Sequence, residues 1–202
     1  MLTLPTKQQG VTLIELMIGI VIFAILLAIA LPNFSAFIAN SNIRNAAEAM
    51  QNGLGLARVE ALRRNTQVNF SSGVDSSTDS SWAVGCTAAS ASCPAVIMKR
   101  VAAEGSTQAQ VATSEVVAST GAAAGTTVFT NTLTFNGLGR VIASTLATAD
   151  NAVYDISNSG GGTCAVAGGK MRCLRVIVTP AGQIRMCDPA LTVSKPTDPQ
   201  AC

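Results

Sequence analysis

The feature that most constrains this chain is an apolar run near its N-terminus. From Leu16 to Leu31 every residue is apolar or glycine, and back to Val11 only Thr12 and Glu15 interrupt the run. As a helix, the segment would be roughly 30 Å long, which matches the hydrocarbon core of a bilayer. We therefore expect one membrane-spanning helix over residues 11–31.

The charge and cysteine patterns indicate on which side of the membrane each part lies. Lys7 is the one charge before the run, so we expect a cytoplasmic N-terminus and an exported body. All six cysteines follow the run, in what would be an oxidising compartment where disulfides form. Sequence proximity favours the pairs Cys86–Cys93, Cys164–Cys173 and Cys187–Cys202.

The composition argues against several classes of function. The chain has no histidine and no CxxC pair, so we expect no metal centre and no cofactor. It shows no Ser/His/Asp set and no glycine-rich phosphate loop, so we do not expect an enzyme. The net charge of +2 is too small to attract nucleic acid by bulk electrostatics.

The residues of the apolar run allow three interpretations. It could be a secretory signal peptide cut at Ala28-Ile29-Ala30, or a plain signal anchor. The third interpretation is a helix in which the carboxylate of Glu15 pairs with a cation. A carboxylate in hydrocarbon is costly unless a cation pairs with it. If the chain were cut after Gly10, the new amine of Val11 would lie one helical turn from Glu15 and could pair with the Glu15 of a neighbouring subunit.

The segment Gly10-Val11-Thr12-Leu13-Ile14-Glu15-Leu16 resembles the class III leader of type IV prepilins. The resemblance implies that a prepilin peptidase cuts after Gly10 and methylates Val11, which replaces the family's usual Phe. Pro32 corresponds to a proline that loosens the helix in assembled filaments of this family. The resemblance also implies that the chain is a subunit of a filament of pilins or pseudopilins. An assembly platform in the bacterial inner membrane would build this filament.

An apolar stripe continues beyond Pro32 at alternating spacings of four and three residues. It consists of Ile43, Ala47, Met50, Leu54, Ala57 and Ala61. This spacing predicts that residues 32–65 form the amphipathic half of the helix, which packs on a sheet. Glu60 and Arg64 have the spacing of a helical ion pair, and we expect Arg63 and Arg64 to lie in a solvated last turn.

The segment 66–202 is predicted to be a β-rich periplasmic head. Short β-prone runs are separated by turn residues, at 67–71, 82–86, 95–101, 132–135, 140–143, 153–156, 171–179 and 183–187. Residues 105–125 show no clear period. The segment 57–68 and head motifs such as Phe135-Asn136-Gly137 are similar to those of GspH/FimT-type pilins. We predict an α+β fold, with one long helix packed on an antiparallel sheet and a disulfide-closed C-terminal region.

A group of cations lies near the C-terminus. Lys170, Arg172, Arg175 and Arg185 fall in a stretch without acids, and alternation would place Lys170 and Arg172 on one strand face, opposite Arg175. Some FimT-type pilins bind DNA through Gly-Arg-x-Arg, and the corresponding residues here are Gly182-Gln183-Ile184-Arg185. The alternative is a solvated edge strand whose charges prevent aggregation.

These observations favour three functional hypotheses. The first is a minor pilin of a type IV pilus, which primes filament assembly or lies within the fibre. The second is an H-type pseudopilin of a type II secretion system, and the third is a DNA-binding pilin for natural transformation. In each, residues 1–10 would be a cleaved leader, and the chain would be a single-pass inner-membrane protein before assembly.

Overall fold

The computed structural model describes residues 10–117, 131–142 and 150–202, without the side chains of residues 30–33 and 117. The chain divides into two compact units, Met1–Phe37 and Ile38–Cys202. The elements in chain order are α1 (Leu13–Arg64), β1 (Val68–Ser72), β2 (Trp82–Cys86), β3 (Met98–Arg100), β4 (Ala109–Val117), β5 (Thr132–Phe135), β6 (Asp150–Asn158), a 3-10 turn (Ala165–Ala167), β7 (Leu174–Val178), β8 (Ile184–Cys187) and α2 (Pro189–Ser194).

Local hydrogen bonds explain where α1 begins and ends. The hydroxyl of Thr12 accepts the backbone N–H of Glu15 at 3.3 Å, which caps the first turn. At the other end Asn65 adopts a left-handed φ of 49°, and the Thr66 N–H donates to the Ala61 carbonyl at 3.2 Å. This is a Schellman-type end, which satisfies the last carbonyls of the helix. Pro32 was predicted to loosen the helix, and its side chain lies outside the described residues, so this stays a prediction.

The head contains two four-stranded antiparallel sheets, where the sequence predicted one. The strand order is β3-β2-β1-β5 in the first sheet and β4-β6-β7-β8 in the second. The first sheet faces the stripe of α1, whose six predicted residues are all fully buried. Phe70 of β1 meets Tyr154 of β6 edge to face at 5.9 Å, so one core joins the two sheets. The predicted α+β fold is confirmed.

Several predicted strands have different bounds in the structure. The third strand covers Met98–Arg100 instead of 95–101, and β7 begins at Leu174 instead of residue 171. The predicted strand 140–143 is reduced to a bridge between Val141 and Phe135, and residue 143 lies outside the described residues. Part of the stretch left unassigned, Ala109–Val117, forms β4, and its remainder from 118 is not described.

Three disulfides close short loops in the head. They join Cys86 to Cys93, Cys164 to Cys173 and Cys187 to Cys202, the pairs that sequence proximity favours. The third one closes the longest loop, with a sequence separation of 15, and holds the C-terminal residue against the end of β8. α2 lies inside this loop, so the disulfide restricts where α2 can lie.

Candidate assembly site and basic surface

The predicted cleavage site lies at the start of α1 and is open to solvent. Gly10 is exposed three residues before α1 begins at Leu13, and a Cβ added to it would meet no atom within 4 Å. Val11 is 71% exposed. The peptide bond between Gly10 and Val11 is therefore not buried by any described part of the chain, so a peptidase could reach it.

Glu15 lies in the first turn of α1, where its backbone N–H is bound by Thr12. Its side chain is exposed, and no ion pair to it occurs within the described part of the chain. A carboxylate is favourable at a helix N-terminus because the helix dipole is positive there. This local stabilisation explains why the helix tolerates Glu15, and leaves the carboxylate available to a cation from outside the chain.

The side chains that follow Glu15 form a continuous apolar surface. From Val11 to Ile29 the large apolar side chains are 43–78% exposed. By itself no single helix of the described chain is long and apolar enough to cross a membrane, whereas the segments Leu13–Ile29 and Phe34–Arg64 together meet the requirement of length and composition. An apolar surface of this extent needs a partner, either lipid or other protein.

The end of α1 is fixed to the head by charged groups. Glu60 Oε2 accepts hydrogen bonds from Arg63 at 2.8 Å and from Arg64 at 2.7 Å, so the predicted ion pair of Glu60 and Arg64 is confirmed. These hydrogen bonds, that from Arg63 first, lower the pKa of Glu60, although burial opposes the shift. Arg64 also donates to the Ser92 carbonyl in the loop closed by Cys86–Cys93, so the prediction that it is solvated is wrong.

The basic residues near the C-terminus do not lie as the sequence predicted. Because β7 begins at Leu174, Lys170 and Arg172 precede the strand, and the predicted alternation with Arg175 is wrong. The reason is the loop closed by Cys164–Cys173, whose residues 165–170 form a 3-10 turn followed by a turn and bends, so that no regular strand forms before Leu174. Arg172 donates to Asp188 Oδ2 at 2.7 Å and to Gln200 Oε1 at 2.9 Å.

Arg175 and Arg185 lie on the same face of the second sheet. Arg185 is paired in register with Ile177, two residues beyond Arg175 on β7, so both arginines project from the same face. Arg175 is bound by both oxygens of Asp155, at 2.7 and 3.0 Å, whereas Arg185 donates to a backbone oxygen of Cys202 at 2.9 Å. Gln183 is exposed in the hairpin that joins β7 to β8, and Lys170 is also exposed.

Sequence reasoning missed the two acids that neutralise this group. Asp188 is buried and caps α2, since its Oδ1 accepts the Ala190 N–H at 2.9 Å. An Asp followed by Pro189 is a recognisable helix start, so the sequence carried a signal for this cap. Asp155 faces Arg175 through the register of β6 with β7, and nothing local in the sequence indicates that pairing.

Parts of this chain are similar to known protein families and structures. Residues 5–31 match the model of the prokaryotic N-terminal methylation motif. Two crystal structures of the type IV minor pilin FimU of Pseudomonas aeruginosa are similar in fold at 17% identity. They have TM-scores of 0.46 and 0.45, and the similarity covers 71% of this chain and 87% and 90% of theirs.

No curated protein sequence matches the chain significantly. Residues 46–182, more than half of the chain, match the family model described as type II transport protein GspH. The helix, the antiparallel sheets and the disulfides of the head agree with that assignment. The chain therefore belongs to the GspH family of type IV pilin-like proteins.

Proposed function

We propose that this chain is a minor pilin, a structural subunit of a type IV pilus rather than a catalyst. The carrying observation is the exposed apolar helix surface from Val11 to Ile29, which holds a single acid, Glu15, within the matched methylation motif. Before assembly the bilayer covers this surface, with the head in the periplasm. In the filament the helices of neighbouring pilins cover it.

The chemistry of Glu15 supports assembly over simple anchoring. Holding a charged carboxylate in hydrocarbon costs on the order of 3 kcal/mol. Cleavage after Gly10 creates an amine on Val11, and the Val11 amine of one subunit can pair with the Glu15 of the next. The pairing offsets the cost only in the filament, so it favours transfer of the subunit from the inner membrane, through the assembly platform, into the fibre.

Processing is tested by co-expression with a prepilin peptidase and mass spectrometry of the N-terminus. We expect a mature chain that begins with N-methylated Val11. Gly10→Val should block cleavage, whereas Gly19→Val, the matched control, should be cleaved normally. An added Cβ meets no atom within 4 Å at either glycine, so neither change disturbs packing within the chain. A mature end at Leu31 would instead indicate a secretory signal.

Assembly is tested by Glu15→Ala, with Glu48→Ala as the control for loss of an acid from the same helix. Glu48 pairs with Arg44 at 2.8 Å on the exposed helix surface, where such pairs contribute little. We expect both variants to be inserted and cleaved, but only Glu48→Ala to appear at normal abundance in sheared filaments. Normal incorporation of Glu15→Ala would refute the pairing with Val11.

An H-type pseudopilin of a type II secretion system is the second candidate, and the description of the matched family favours it. The same helix and processing site would serve in that role. Deletion of the gene in its host separates the two candidates: loss of surface pili with normal protein secretion supports the minor pilin. Loss of secretion with normal pili supports the pseudopilin.

DNA binding is the third candidate. Lys170 has no acidic partner among the described residues and is available for a phosphate contact, whereas Arg172 and Arg175 are paired with acids and Arg185 donates to a backbone oxygen of Cys202. If the chain binds DNA, Gln183→Arg should strengthen binding of labelled duplex and steepen its salt dependence. Absence of duplex binding at low salt, for both the parent chain and Gln183→Arg, would exclude this function.

A further inference from the structure

The loop closed by the Cys164–Cys173 disulfide contacts α1 at the start of the compact unit that contains the head. The Oδ1 atom of Asn40 accepts the backbone N–H of Arg172 at 2.9 Å. A Cβ added to Gly161, just before the loop, would lie 3.1 Å from the Cβ of Ala39, so the chain passes close to the helix there. The loop therefore lies against the first residues of α1 that belong to this unit.

This contact is a short distance along the chain from the predicted membrane-spanning segment, which ends at Leu31. Ala39 comes eight residues after Leu31, a length of about 12 Å as a helix and at most about 29 Å when fully extended. The headgroups of a bilayer occupy about 5–8 Å on each side of the hydrocarbon core. Once the segment is anchored in a bilayer, Ala39 and the loop that it contacts therefore remain near the headgroups.

The side chains just before this contact extend the exposed apolar surface of α1 to the head. Phe34, Phe37 and Ile38 are 61%, 70% and 44% exposed, so much of their surface is available to lipid. Removing apolar side chains from water is favourable. A bilayer that covers residues 11–31 therefore also attracts these three side chains, and the loop that follows them in space is drawn towards the headgroups.

The loop and α2 together expose two valines and two lysines. Val166 in the 3-10 turn is 48% exposed, and Val193 of α2 is 78% exposed. The 3-10 turn contacts α2, and both valines line the same groove, so they lie on one side of the head. Lys170 follows Val166 in the loop, Lys195 follows α2, and both lysines are exposed. Exposed apolar side chains with lysines beside them are typical of segments that rest on a membrane surface.

Both lysines are free of ion pairs within the described part of the chain. Asp188 is paired with Arg172 at 2.7 Å and is buried, so it does not compete for them. Asp198 lies three residues after Lys195, and its Oδ1 atom accepts a backbone N–H at 2.9 Å. This acid offsets part of the charge near Lys195, so we expect Lys170 to attract an anionic surface more strongly.

We propose that the loop closed by Cys164–Cys173 docks, together with α2, on the anionic surface of the membrane that anchors the chain. Val166 and Val193 enter the headgroup region, and the ammonium group of Lys170 contacts lipid phosphate. The docking rests on the anchoring by α1 proposed above and adds a second membrane contact, which must break when the subunit enters a filament. The short connection to the anchor keeps headgroups at high effective concentration, an advantage that a DNA duplex lacks.

The experiment uses the full chain, with its disulfides intact, in vesicles of phosphatidylcholine alone or mixed with phosphatidylglycerol. The lipids carry bromine atoms near the headgroup end of their acyl chains, which quench a tryptophan that enters the membrane surface. The probe is Val166→Trp, and the native Trp82 adds a constant background because it is 3% exposed. We expect Val166→Trp to be quenched in the anionic vesicles. Val96→Trp, at another exposed valine outside the loop and α2, should stay unquenched.

Matched variants assign the docking to the lysines. In the Val166→Trp background, Lys170→Gln should lower the ratio of docked to undocked chain about fivefold, the effect of one lysine near an anionic surface, and Lys195→Gln should lower it less. Lys99→Gln, which removes an exposed lysine paired with Asp75 at 2.7 Å, should leave the ratio unchanged. High salt should act as Lys170→Gln does, because it screens the attraction. Circular dichroism would establish that every variant is folded.

Four results would overturn the proposal. A chain that does not float with the vesicles would refute the anchoring by α1, and the docking with it. A chain that floats while Val166→Trp is quenched no more than Val96→Trp would refute the docking alone. Equal quenching in neutral and anionic vesicles would exclude the role of the lysines. Lys170-dependent binding of a labelled DNA duplex, without quenching of Val166→Trp, would assign the surface to nucleic acid.

Discussion

Gly53 and Gly55 lie two residues apart on α1, and the structure predicts opposite effects of the same substitution at the two positions. A Cβ added at Gly53 would lie 2.8 Å from Phe70 Cε2 and 2.9 Å from two atoms of the Trp82 indole. A Cβ added at Gly55 would meet no atom within 4 Å. The two sites therefore share helix propensity and differ in packing.

The magnitudes follow from two opposing effects. Alanine stabilises a helix interior by about 0.5–1 kcal/mol relative to glycine, so Gly55→Ala should raise the free energy of unfolding by that amount. At Gly53 the same gain is opposed by overpacking, which costs about 1–3 kcal/mol. Phe70 and Trp82 are buried in the core and have little space to move aside. We expect Gly53→Ala to lower the free energy of unfolding by roughly 1 kcal/mol.

Trp82 provides the assay because it is the one tryptophan of the chain and is 3% exposed. Urea unfolding of the full chain in mild detergent, followed by tryptophan fluorescence, would give the free energy for the parent and both variants. Gly55→Ala controls for helix propensity, because it carries the same change on the same helix. The argument from packing is wrong if Gly53→Ala is as stable as Gly55→Ala.

Two further predictions use the same assay. Glu60→Gln should lower the free energy of unfolding by about 2 kcal/mol near neutral pH, because it removes the charge that Arg63 and Arg64 bind. The folded-state pKa of Glu60 lies below its ordinary value of 4.5, so the parent gains this stability above pH 4.5 and loses it as the pH falls further. The difference between the two proteins should therefore shrink in acid, and a constant difference would contradict the assignment. Replacing Cys187 and Cys202 by Ser should cost about 3 kcal/mol for a loop of this length, and an unchanged free energy of unfolding would show that the disulfide does not constrain the unfolded chain.

Local patterns in the sequence predicted much of the architecture. The stripe of α1 follows from spacing alone, because residues three or four apart lie on the same face of a helix. All six residues of the stripe, the first Ile43 and the last Ala61, are buried as expected. The strand Trp82–Cys86 has the predicted bounds. The short disulfide loops could also be predicted, since nearby cysteines meet easily once turns bring them together.

The fourth strand could not be predicted, for a physical reason. Four residues of β4 that lie on the same face are Ala109, Val111, Thr113 and Glu115. Three of these four, Ala109, Val111 and Glu115, are buried. The buried set includes the charged residue Glu115, so apolar and polar residues do not alternate and no period of two appears. The division into two sheets has a similar cause, because it depends on pairing between strands far apart in sequence.

The charge of the C-terminal surface shows most clearly what a sequence leaves open. Four cations in an acid-free stretch predicted a basic patch, yet two of them bind acids from elsewhere in the chain. Arg172 reaches Asp188 after the turn of the Cys164–Cys173 loop, and Arg175 meets Asp155 because β6 and β7 pair in that register. A shift of one residue in this register would turn the side chain of Asp155 to the other face of the sheet. The charge that this surface presents is therefore set by contacts between segments far apart in the sequence, because Arg172 and Arg175 are already paired with acids within the chain.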